Sequence, residues 1–163
     1  MHPFDKIQSR DNAAFPFAAF QEYPRSFAVD WRAGVVDIFD DFAKAAGLAG
    51  SAQLTVDPAS RTPVLSHDGQ RLALGLHNAT SPQHGMVSLL QGYFGIRHSI
   101  RYMNHVAPGD TAYFVVESTS TWKRLEAANP HVKWFFTPLE KLPDVFTTSF
   151  ETLAECGRQY AET

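Results

Sequence analysis

HGMVSLLQGYFGIRHSIRYMNH, residues 84–105, is the stretch on which the reading of the chain turns. Placed on a helix at about 100° per residue, Met86, Leu89, Leu90, Tyr93, Ile96, Ile100 and Met103 gather on one broad stripe. Such a stripe marks a core-facing helix. Ser81 ahead of Pro82 supplies an N-cap followed by a proline at the first helical position. The pattern predicts one long helix over about 82–105. Gly85, Ser88, Gly92, Gly95 and Ser99 form a second stripe on its flank. Each glycine inside a helix costs roughly 0.8–1.0 kcal/mol against alanine, so the expected return is close approach by another backbone or by a ligand.

Working outward, a helix is expected over about 30–46. Trp31, Val35, Ile38, Phe39, Phe42 and Ala46 keep helical spacing, Asp30 can cap the start and Gly47 the end. AQLTV (52–56) alternates as a strand, and Asp68-Gly69 between two apolar runs signals a hairpin. Pro108-Gly109-Asp110 marks the turn that ends the long helix, TAYFVVES (111–118) a strand, and STSTWKRLEAANP (118–130) a short helix stopped by Asn129-Pro130. VKWFFTPL (132–139) reads as a further strand, and a last helix follows a cap at Thr148 or Ser149. The Phe/Pro-rich opening is expected to lie across a core edge with its rings tucked in. The sum is an α+β sandwich of one domain, residues 1–163. Its antiparallel sheet of four to five strands is packed by the long central helix and the N-terminal one.

The chain has 163 residues, 44% hydrophobic and 13% aromatic, with one cysteine and a net charge of −3. That composition builds a core without staples, and a single cysteine allows neither an internal disulfide nor a cysteine-based metal site. No apolar run reaches the ~18 residues of a membrane span, and no apolar segment follows a basic start, so a cytoplasmic location is expected. The negative balance argues against nucleic acid as a partner. Residues 61–110 differ from the rest, with four bases against two acids and five of the seven histidines.

Two sets of candidate residues follow. His77, Ser81, His84, Arg97, His98 and Arg101 lie in or beside the 77–105 region. Helix starts attract anions, arginines hold carboxylates and phosphates, and histidine titrates near neutral pH. A metal is not expected: His84 and His98 stand fourteen residues apart, about 21 Å along a helix. No cofactor fingerprint is present either. Asp37, Asp40 and Asp41 give the first helix an acidic side suited to a basic protein partner.

In size, in the absence of a catalytic motif and in its acidic surface, the chain resembles small cytoplasmic bacterial interaction proteins, among them immunity proteins that block a toxin. The leading expectation is a non-catalytic protein-binding module, an immunity-type antagonist, that uses the three aspartates. The alternative is a small-molecule or anion-binding protein, or a small enzyme, that uses the His/Arg set.

Overall fold

A computed structural model describes residues 1–76, 80–104 and 109–163. The described helices are α1 (Phe17–Gln21), α2 (Val35–Ala46), α3 (Pro82–Phe94), α4 (Thr119–Ala128), α5 (His131–Phe135) and α6 (Phe150–Ala161). The described strands are β1 (Ser26–Asp30), β2 (Ala52–Val56), β3 (Pro63–His67), β4 (Gln70–Ala73), β5 (Ser99–Met103), β6 (Thr111–Glu117) and β7 (Phe136–Pro138). They form two antiparallel sheets, ordered β1-β6-β5-β7 and β2-β3-β4. The fold is mixed α+β.

The long helix over 82–105 does not exist. α3 stops at Phe94, and Ser99–Met103 is an inner strand of the four-stranded sheet, paired with β6 on one side and β7 on the other. The reason is local and tertiary at once. Gly92 and Gly95 weaken the helix where it would have to continue. The backbone N–H groups of Arg97 and His98 close on the Phe94 carbonyl at 3.1 and 2.9 Å. Gln91 Oε1 then accepts from the N–H of Ile100 at 2.6 Å, so a helical side chain fixes the start of the strand. All five residues of β5 are buried, on both faces. A short strand of that kind has no polar alternation to separate it from a helix. Ile96, counted on the apolar stripe, is 87% exposed at the tip of the turn.

Other departures are smaller. α2 begins at Val35 with Gly34 at its N-cap, because Asp30 ends β1 and Trp31 sits half-exposed in the turn between them. Its stop at Gly47 is as expected, with φ +73°. Residues 131–135 are a helical turn, which leaves only Phe136–Pro138 as strand. The Asp68-Gly69 hairpin forms, with positive φ at both residues, the geometry of the tight turn that matches strand twist.

Side-chain alternation along the larger sheet divides the core in two. Phe27, Val29, Ile100, Tyr102, Phe114 and Val116 face α2, α3 and the smaller sheet. Met103, Val115 and Phe136 face the N-terminal segment, α4 and α5, where Phe4, Phe15, Phe20 and Trp122 pack ring on ring. The aromatic opening of the chain is thus one wall of the second core. α6 lies against α5 and β7. Among the described residues no helix is long and apolar enough to cross a membrane.

Candidate functional site: a cleft at the helix-to-strand turn

Ending α3 early creates a corner. The turn 95–98 passes beside the β3–β4 hairpin, and between them opens a cleft of about 840 Å³ lined by His67, Asp68, Tyr93, Phe94, Arg97 and His98, with Gly92 in its floor. Ligand clefts fall in the range of ~300–1,000 Å³. Three of its rings meet edge to face: His67 with Phe94 at 5.2 Å, His67 with Tyr93 at 5.9 Å and Tyr93 with Phe94 at 4.6 Å. A Cβ placed on Gly92 would meet nothing within 4 Å, so this glycine opens space. Gly85, by contrast, has Thr80 Oγ1 at 3.2 Å from such a Cβ and serves close packing.

Two polar groups of the cleft are unspent. The Arg97 side chain is exposed and makes no hydrogen bond or ion pair with a described residue. His98 Nδ1 is buried and has no hydrogen-bond partner among the described residues. Burial first, then the nearby Arg25, Arg97 and His67, hold the His98 imidazole below its ordinary pKa. That favours its neutral form, and its inner nitrogen is tied to neither a donor nor an acceptor of a described residue. The outer nitrogen is free to take either role. His67 Nε2 stands 3.6 Å from Asp68 Oδ2.

The remaining expected residues fall elsewhere. Ser81 is the N-cap of α3 and accepts from the His84 N–H at 3.2 Å. Its hydroxyl donates to Asp144 Oδ1 at 2.9 Å. The buried His84 accepts from the Val145 N–H through Nδ1 at 3.3 Å. Ser81, His84 and Asp144 thus clamp the start of α3 to the 144–146 loop, and the imidazole does not touch the serine hydroxyl. Burial lowers the His84 pKa against the pull of Asp144. Burial would raise Asp144, but hydrogen bonds from Ser81 and Phe146 outweigh it and hold the carboxyl low. Arg101 is buried in β5 and paired with Glu126, outside the cleft. His77 lies outside the described residues, as does Pro108 of the expected turn. Among the described residues no group of three or more His, Cys, Asp or Glu side chains is placed to hold a metal ion.

Asp37, Asp40 and Asp41 are all exposed on the outer side of α2. Partial burial first, then Asp37 and Asp40, raise the Asp41 pKa, while Lys44 opposes.

Of the cleft residues, Arg97 and His98 were expected and are brought together. His67 and Asp68 were missed as site residues, although the Asp68-Gly69 turn signal already put them at a hairpin tip. Tyr93, on the predicted core face, is instead exposed one residue before the helix ends. No family model, curated protein or solved structure matches this chain.

Proposed function

We propose that this protein is a binding protein whose site is the cleft at the α3–β5 turn, and that its ligand is a small planar molecule carrying a carboxylate or similar acceptor group. The observation that carries the reading is the pairing of two unspent polar groups, the Arg97 guanidinium and the His98 imidazole, on the wall of an aromatic-lined cleft. Buried polar atoms are nearly always partnered; with its inner nitrogen held by no described residue, the His98 ring is free to present its outer nitrogen to a ligand as donor or acceptor. The rings of Tyr93 and His67 offer a surface for a planar ligand. Arg97 offers a fork for its acceptor, and His98 offers one more donor or acceptor.

Titration with benzoate, followed in the amide spectrum, tests it. Saturable shifts are expected at His67, Tyr93, Arg97 and His98, with affinity reduced about tenfold or more in Arg97→Ala. Equal shifts in the wild type and in Arg97→Ala, or none in either, overturn the reading.

A second reading is favoured by one observation. Asp37, Asp40 and Asp41 stand exposed together at i, i+3 and i+4 on α2, where like charges repel, and a basic protein surface relieves that repulsion. On this reading the chain is a protein-binding module, an antagonist that presents Asp37, Asp40 and Asp41 to a cationic partner. Its test is charge reversal at all three positions, which must abolish capture of the partner while leaving the fold intact.

A further inference from the structure

The end of the larger sheet that borders the cleft has a second side. There, on the face turned to the N-terminal segment, lies a cleft of about 630 Å³ lined by His2, Tyr23, Arg25, Glu117, Ser118 and Arg124, among others. At its base Glu117 is buried, 6% exposed. It accepts from the Tyr23 hydroxyl and pairs with Arg25 Nε at 3.1 Å. Arg25 Nε also donates to the Val116 carbonyl at 2.9 Å. Both contacts involve the same nitrogen, whose single hydrogen goes to the carbonyl. They orient the guanidinium and leave its two terminal amino groups without a hydrogen bond to any described residue. The side chain is 34% exposed.

Arg124, on the exposed side of α4, makes no hydrogen bond or ion pair with a described residue. It stands close enough to Tyr23 to bias the ionisation of its hydroxyl. One guanidinium is thus fixed in place by a buried carboxylate, and a second stands free across the same cleft. Asp5 on the rim is the one opposing charge besides Glu117, whose own charge is taken up by Arg25 and Tyr23.

We propose that Arg25 and Arg124 form a second binding site, distinct from the cleft at the α3–β5 turn, for a ligand bearing a phosphate-type oxyanion. A guanidinium presents paired N–H groups at the spacing of two oxygens of such a group, and charge-assisted bonds of this kind are the strong ones. Holding Arg25 by its Nε removes in advance the side-chain entropy that binding would otherwise cost. The rim acid Asp5 favours a ligand that carries a cationic or neutral group beside its oxyanion over a polyanion.

Inorganic phosphate is the probe, titrated into the full chain while the arginine side-chain Nε–H signals are followed. Saturable shifts of Arg25 Nε–H are expected, with affinity falling about tenfold or more in Arg124→Ala. Arg124 bonds to nothing described, so that variant keeps the fold. Arg97→Ala is expected to leave phosphate binding unchanged, and Asp5→Asn to tighten it. No Arg25 response, or a response that survives Arg124→Ala at full affinity, overturns the proposal. So does loss of binding in Arg97→Ala, which would place the anion in the other cleft.

Discussion

The guanidinium carbon of Arg101 lies 4.5 Å from the centre of the Trp122 ring. Tyr160 closes the other side at 5.5 Å, and Glu126 takes the charge. The Tyr160 hydroxyl donates to Glu126 at 2.9 Å, so strand β5, helix α4 and helix α6 meet at one buried ion pair. Burial first, with Glu126 adding, pushes the Tyr160 phenol up to about 12. The two side chains of the pair are only 8% and 17% exposed.

Removing one partner of such a pair strands the other charge. Arg101→Ala and Glu126→Ala are each expected to cost about 3–5 kcal/mol of unfolding free energy. The double variant should cost clearly less than the sum. Urea denaturation of the three variants decides it; additive losses would mean that the two groups do not act as a pair.

Gly157 on α6 sits where no side chain fits. A Cβ there would stand 2.5 Å from Asn104 Nδ2 and 3.2 Å from Thr137 Oγ1. Both belong to a buried network in which Thr137 donates to Asn104 at 2.7 Å and Asn104 to the Trp134 carbonyl at 2.6 Å. Gly157→Ala is expected to destabilise by about 1–3 kcal/mol, although alanine is the better helix former. A thermal melt showing a gain in stability would contradict this packing.

The buried imidazole of His84 and the half-buried one of His98 set a pH dependence. His84 and His98 are both held below their ordinary value of 6.5. The unfolded chain therefore binds protons before the folded one as pH falls. Their contribution to stability is complete above about 6.5 and is lost as pH drops from there towards their folded values, by at most about 1.4 kcal/mol per pH unit for each. Denaturation midpoints measured from pH 7.5 to 5.0 should fall, and the slope should shrink in His84→Gln. An unchanged slope in that variant would show that His84 does not titrate with folding.

Gly92 separates structure from function. Gly92→Leu replaces a poor helix former at an open position, so stability should hold or rise by up to about 1 kcal/mol. The same leucine fills the floor of the cleft, so benzoate affinity should fall about tenfold or more. A variant that is stable and still binds at full affinity would move the site elsewhere.

How legible all this was differs by element. α2, the Asp68-Gly69 hairpin, β6, α4 and α6 carry their own signals, in amphipathic spacing, turn residues or caps such as Ser118 and Ser149. β5 carries none, because a strand buried on both faces lacks polar alternation. Ile96, Ile100 and Met103 happen to continue the helical stripe of α3. Helical spacing marks Gly92 and Gly95 as places of close approach, whereas Gly95 is where the helix ends. Arg97 and His98 could be picked out by residue type, but their neighbours His67 and Asp68 come from 30 residues earlier in the chain, at a hairpin tip. Pairing across that distance is a property of the fold, as is the match of Glu117 with Tyr23 and Arg25.

The imidazole of His98 gives the most direct measurement of the central claim. Its ring nitrogens, observed by long-range ¹⁵N correlation, report whether the outer nitrogen takes a partner. On addition of benzoate the His98 signals are expected to move saturably and settle into a single tautomer, with the His84 signals unmoved. If His98 stays unchanged while benzoate or any other planar acid binds the protein, the cleft at the α3–β5 turn is not its binding site.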